Sequence, residues 1–218
     1  MIELRTPAEI DRLRIAGEFV GSVLTATAAA SAVGVNLLEL DALAHDMIRA
    51  RGAESCYIDY HPSFGGSPFG KVICTSVNDA ALHGLPHDYR LQDGDVLSLD
   101  FAASVDGWVS DSAVTIIVGT PRPEDQRLIE VTSRALDAGI AAATVGNRIG
   151  DISAAIGDVA HASGLKVNLD FGGHGVGRTM HEDPHVPNLG RRGTGLRLKA
   201  GLVVAIEPWF MAGGDGYV

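Results

Sequence analysis

Asp100 closes an apolar run, VLSLDF (96–101), and Asp111 lies in the run that follows, WVSDSAVTII (108–117). Between them Asp106-Gly107 is a two-residue turn signal, which predicts a β-hairpin. Counting outward from that pair, Asp111 faces Ala102, and Ala102 shares a face with Asp100 because strand side chains alternate. The two aspartates are therefore expected as diagonal neighbours on one face, roughly 6 to 8 Å apart at Cβ. Two carboxylates side by side on a mostly apolar sheet repel each other and lose hydration. They need a cation, or one of them must hold a proton.

A second concentration of chemistry lies in FGGHGVGRTMHEDPHVPN (171–188). His174 sits between glycines, where a backbone with little side-chain bulk lets a ligand or metal come close. His181 and His185 follow within the same segment, whereas His45, His61, His87 and His161 read as ordinary surface or packed histidines. The glycines do not form a phosphate-binding G-x-G-x-x-G loop, because the required preceding strand and following helix are not predicted. A third acid, Glu207, ends the apolar run GLVVAI (201–206), and Pro208 behind it cannot donate to a strand ladder. Asp100, Asp111, His174 and Glu207 make a mixed oxygen and nitrogen donor set. Such a set suits Mn, Fe(II), Co or Zn better than Ca, which takes oxygen alone.

The elements that must position these groups follow from capping and periodicity. Thr6-Pro7-Ala8-Glu9 is a capping box with proline at the first helical position, so a helix is expected from Pro7 to about Ala32. Val33-Gly34 ends it, and Asn36 with Glu39 opens a second that stops at Gly52. A β-rich stretch from Val72 to Val118 follows. Helices are then expected over 121–144 and 149–163, stopped by Gly146 and Gly164, before a second β-rich, glycine-rich stretch. The order helix, helix, strands thus occurs twice. A shift of 112 lays Val33-Gly34, Ala42, Asp46 and Gly52 on Val145-Gly146, Ala154, Asp158 and Gly164. A shift of 107 lays LQDGDVLSLDF (91–101) on LKAGLVVAIEP (198–208), bringing Asp100 onto Glu207. Two α+β halves related by a pseudo-twofold are expected, each ending an apolar strand in a carboxylate.

Composition narrows the class. The 218 residues are 46% apolar and 20% charged, which excludes disorder. A net charge of −10 gives no electrostatic footprint for nucleic acid or an anionic membrane. Cys56 and Cys74 alone are too few for a disulfide framework and point to a reducing, cytoplasmic setting. The start, MIELRTPAEIDRLR, has no apolar targeting core. The uncharged stretch Phe19–Leu38 is long enough to span a bilayer, but its Ala, Gly, Ser and Thr content and Asn36 read as a buried helix and turn.

Taken together, CTSVNDAALHGLP (74–86), LDFAASVDGWVSDSA (99–113), GGHGVGRTMHEDPHVPN (172–188) and AIEP (205–208) closely resemble, along the whole chain, the type I methionine aminopeptidases of the pita-bread fold. The resemblance implies an α+β pita-bread domain over 1–218, with internal halves of about 1–119 and 120–218 and an antiparallel sheet lining the metal site. It implies two divalent metal ions (Co, Mn, Fe(II) or Zn) held by Asp100, Asp111, His174 and Glu207, with Asp111 bridging. His83 and His181 would contact the substrate amide and the tetrahedral intermediate, and Glu207 would pass a proton to the leaving amine. Phe69, Cys74 and Met180 fall where the family has its methionine side-chain pocket. The implied activity is removal of the initiator methionine from peptide or nascent-chain N-termini when the next residue is small. A cytoplasmic monomer with transient ribosome contact, and with neither nucleic acid nor membrane as partner, goes with that activity.

Two departures accompany the resemblance. The segment YIDYHPSFGGSPFGKV (57–72) is longer than the common version. The family also carries a second bridging Glu on a last strand about 30 residues beyond the IEP motif, whereas this sequence ends at GGDGYV (213–218), a turn and the beginning of a strand. The expectation from that ending is a fragment of a longer enzyme, with a poorly held second metal and weak or no activity. Two rivals stand beside this assignment. A prolidase- or aminopeptidase P-like hydrolase usually carries a large extra N-terminal domain for which there is no room here, and a non-catalytic pita-bread binding module would have lost the ligands.

Overall fold

A computed structural model of the chain describes residues 2–61 and 67–213. The long segment 57–72 therefore lies partly outside the described residues, and 214–218, where a strand beginning is expected, lie wholly outside them. The described residues fall into two compact units. One draws on Asp11–Arg122 and Gly177–Met180, the other on Met1–Ile10, Pro123–Val176 and His181–Val218.

The first unit is built from helix α1 (Pro7–Ala30) from Asp11 onward, helix α2 (Leu37–Arg51) and strands β1 (Glu54–Ser55), β2 (Cys74–Val77), β3 (Val96–Val105) and β4 (Trp108–Ile117). Helix α1 opens with the expected box: the Thr6 N–H donates to Glu9 Oε2 and the Glu9 N–H to Thr6 Oγ1. It ends at Ala30, two residues before the expected end. The uncharged stretch is buried helix followed by a turn, with Phe19, Val20, Val23, Leu24 and Thr27 inward. Among the described residues no helix is long and apolar enough to cross a membrane.

Strand β3 is the spine of the first unit. It pairs antiparallel with β4 along its whole length on one edge, and with β2 and β1 in succession on the other. Its odd-numbered residues Leu97, Leu99, Phe101, Ala103 and Val105 join the apolar faces of α1 and α2 in one core. Alternation then puts Ser98, Asp100, Ala102 and Ser104 on the opposite face. The hairpin has the expected register, with Ala102 opposite Asp111 and Asp100 opposite Ala113. Its turn residues Asp106 and Gly107 take φ of 52° and 73°, the left-handed pair a tight hairpin needs.

The second unit holds α3 (Pro123–Ala142), α4 (Ile149–Ser163) and the short strands β5 (Lys166–Val167), β6 (Gly173–Gly175), β7 (Glu182–Val186) and β8 (Phe210–Met211). Helix α3 starts at Pro123, not Pro121, because Arg122 precedes a proline and is disfavoured in helical geometry. β5 pairs with β8 and β6 with β7. The run 201–208, expected as a strand, is regular only in part. The Ala205 N–H donates to the His174 carbonyl and the Val176 N–H to the Val203 carbonyl, with a single bridge at Val204. Gly201, at φ 91°, and donor-less Pro208 bound the stretch that can pair.

The internal repeat is visible as the same hydrogen bonds made twice. The Gly34 N–H donates to the Leu91 carbonyl, and the Gly146 N–H to the Leu198 carbonyl. Asn36 bridges to Arg90, and Arg148 to Arg197. Asn36 is the N-cap of α2 with Glu39 answering from N3, and Arg148 stands before α4 with Asp151 in that place. Both helices end on a left-handed glycine, Gly52 and Gly164.

Candidate metal centre

In the first unit the carboxylate face carries Asp100 and Asp111 together with groups of unusual protonation. Cys74 stands opposite Asp100 in the β2–β3 register. The Cys56 N–H donates to the Ala102 carbonyl, so this cysteine flanks the same stretch of β3. Burial, followed by the charge of Asp111, pushes the Cys56 thiol up to about 12. Burial, with Asp100 and then Asp111, drives the Cys74 thiol higher still. The Tyr57 phenol is raised by burial and by the same two aspartates, and its hydroxyl donates to Asp100 Oδ1 at 2.7 Å. These groups stay protonated at neutral pH, so neither cysteine is a nucleophile and the local field favours a cation.

His83 has a left-handed backbone, φ 54°, and lies exposed at the edge of β2. Its neighbour Gly84 holds it there. The Thr75 N–H donates to the Gly84 carbonyl and the Gly84 N–H to Ser76 Oγ. A Cβ at Gly84 would stand 2.3 Å from the Thr75 carbonyl oxygen, so only glycine lets the segment approach this closely. Phe69 packs edge-on to the Tyr57 ring at 5.8 Å, and Cys74 and Met180 are buried in the same unit. Next to Met180 in sequence, Arg178 caps the hairpin turn, its guanidinium 3.5 Å from the Trp108 ring centroid and donating to the Gly107 carbonyl.

In the second unit His174, His181 and Glu207 come together, while His185 is exposed on β7. The rings of His174 and His181 meet edge to face, 4.4 Å between centroids. His174 Nδ1 lies 2.8 Å from the Gly175 carbonyl oxygen. A carbonyl only accepts, so Nδ1 carries a proton and Nε2 is the nitrogen turned to Glu207, a ligand atom when the imidazole is neutral. That nitrogen is 3.1 Å from Glu207 Oε1, and Oε1 is buried without a hydrogen-bond donor. A neutral imidazole nitrogen and a carboxylate oxygen facing each other at this distance need a positive centre between them, a metal ion or, in the imidazolium, the proton itself. The donor set therefore fits a divalent metal, with the Gly175 carbonyl fixing the imidazole tautomer from behind. Among the described residues no three His, Cys, Asp or Glu side chains converge on one point. The candidate groups are pairs, Asp100 with Asp111 and His174 with Glu207.

Two supporting residues carry no sequence signal. Tyr57 is one. Asn188 is the other: it is 2% exposed, and its Nδ2 donates to the Glu207 carbonyl at 2.7 Å where Pro208 ends the ladder. Asn188→Ala is expected to cost about 1–3 kcal/mol by stranding that carbonyl, read as a lower urea midpoint with unchanged slope.

The comparisons agree on one family. The profile described as metallopeptidase family M24 matches residues 11–218. The methionine aminopeptidase of Aquifex aeolicus is 39% identical, covering 99% of this chain and 88% of that one. Methionine aminopeptidase 1 of Mycobacterium tuberculosis is 41% identical over 98% and 80%. Among solved structures, the methionine aminopeptidase from Rickettsia prowazekii superposes with a TM-score of 0.93 at 34% identity, covering 98% of this chain and 84% of that one. The prolidase from Pyrococcus furiosus shares the fold at a TM-score of 0.79 and 24% identity, over 94% of this chain and 57% of that one.

Proposed function

The chain belongs to metallopeptidase family M24, among its methionine aminopeptidases, and from that premise we propose how its residues do the work and on what substrate. It is a metal-dependent hydrolase acting at peptide or protein N-termini. Its substrates, in our reading, are new chains whose initiator methionine is followed by a small residue. Asp100, Asp111, His174 and Glu207 would hold two divalent ions drawn from Co, Mn, Fe(II) and Zn. When bound, the metal supplies Lewis acidity to the scissile carbonyl and lowers the pKa of the attacking water.

The remaining steps belong to the protein. Glu207 takes the proton of the attacking water and delivers it to the leaving amine. His83 and His181 hydrogen-bond the substrate amide and the tetrahedral intermediate, each held in place beforehand, His83 by its glycine-locked loop and His181 by ring contact with His174. Phe69, Cys74 and Met180 wall the methionine side chain, and a protonated Cys74 suits an apolar wall. A cytoplasmic monomer that meets nascent chains at the ribosome accords with this role.

One observation carries the metal assignment: His174 Nε2 standing 3.1 Å from a buried Glu207 oxygen that has no hydrogen-bond partner. The test is release of methionine from Met-Ala-Ser with added Co or Mn, beside a Met-Leu-Ser and an Ala-Pro peptide. Release from Met-Ala-Ser alone, abolished by chelator, is expected. Cleavage of Ala-Pro in preference would move the chain to prolidase-like chemistry, and chelator-resistant release would end the metal assignment.

A further inference from the structure

We propose that Tyr57 is a positioning residue for the metal centre, its hydroxyl fixing the Asp100 carboxylate so that one oxygen is committed to the protein and the other to a cation. The inference rests on the metal reading above and names a group beyond its ligands. β1 ends at Ser55, and Ser55 Oγ then accepts the N–H of both Tyr57 and Ile58. That local turn takes the chain out of the β1 register just past Cys56. The Tyr57 ring ends up 7% exposed, packed edge-on to Phe69, with its hydroxyl 2.7 Å from Asp100 Oδ1.

A carboxylate rotates freely about its last torsion and offers lone pairs on both oxygens. A phenol donating to one of them, from a ring that packing holds still, selects one orientation before any metal arrives. The bond is charge-assisted, so it is stronger than a neutral one. Removing a donor of this kind from behind a ligating carboxylate typically weakens metal binding about 10–100-fold. Tyr57 also has a second face. Its ring touches Phe69, so one residue supports both the carboxylate and the wall assigned to the methionine side chain. Hydroxyl and ring are separable by mutation.

The experiment is calorimetric titration of the chelator-treated 218-residue chain with Mn, parent against Tyr57→Phe, with thermal unfolding of each as the check on folding. Loss of the hydroxyl alone is expected to weaken Mn affinity about tenfold. It should lower kcat for Met-Ala-Ser while KM moves less than about twofold. Phe69→Leu should do the reverse, raising KM with Mn affinity unchanged, and it carries the test if Tyr57→Phe does not fold. Unchanged or tighter Mn binding in Tyr57→Phe would mean that the hydroxyl merely fills the cation's place, and it overturns the proposal. Equal loss of Mn binding in Phe69→Leu would reduce the effect to packing and overturn it as well. A parent chain that binds no Mn would overturn the metal reading itself, and this inference with it.

Discussion

Asp111→Asn is expected to lower kcat/KM for Met-Ala-Ser by about a thousandfold while leaving the fold intact. Asp111 stands opposite Ala102 in the hairpin, and Asp100 is the next residue on that face of β3. The full pair brings two negative charges to a sheet whose other face is apolar core. An amide of the same shape keeps the register and the packing but removes half of that charge. A metal centre worth several kcal/mol of transition-state stabilisation loses about 4 kcal/mol, which is the thousandfold figure. The chelated variant should be at least as stable as the chelated parent, because one of two mutually repelling carboxylates has gone. Full activity in Asp111→Asn would remove the hairpin from the mechanism. A loss of activity matched by loss of the folded state would show only that the position is structural.

The groups assigned to this chemistry differ in how plainly the sequence announces them, and the difference is physical. Asp100 and Asp111 are legible because a hairpin is local: Asp106-Gly107 sets the turn and strand alternation sets the face. The helix ends are legible for the same reason, since Thr6 with Glu9, Asn36 with Glu39, Gly52 and Gly164 act within one turn of chain. The repeat is legible through its glycines and carries further than the helices, since even the hydrogen bonds of Leu91 and Leu198 recur. Tyr57 and Asn188 are illegible. Each meets its partner across a long separation in sequence, Tyr57 through a turn made by Ser55, Asn188 through the end of a ladder, and no period or cap marks either contact. The stretch 201–208 fails as a regular strand because an apolar run specifies burial, not pairing. Val204 and Ile206 pack on the α4 core, while among the described residues the pairing with the β6 segment is confined to 203–205.

Gly173→Ala is the second large effect, and it tests whether backbone approach alone sets the His174–Glu207 pair. Gly173 opens β6, where the Ala205 N–H meets the His174 carbonyl. A Cβ built on Gly173 would lie 2.2 Å from the Ala205 carbonyl oxygen and 3.0 Å from its carbon. Both are main-chain atoms, so no side chain can swing aside, and the strands must part. Overpacking of this kind costs about 3 kcal/mol. The larger effect is on the site. Parting the strands moves His174 away from Glu207, two residues beyond Ala205, and widens the 3.1 Å gap between them. A displacement near 1 Å at such a centre costs about a hundredfold in rate. Mn affinity should fall with it, and raising Mn should restore only part of kcat, because the geometry stays wrong even when the ion is bound. If Gly173→Ala folds with parental Mn affinity and rate, the strands have room that the close contact denies. Glycine at 173 would then have no part in placing the histidine.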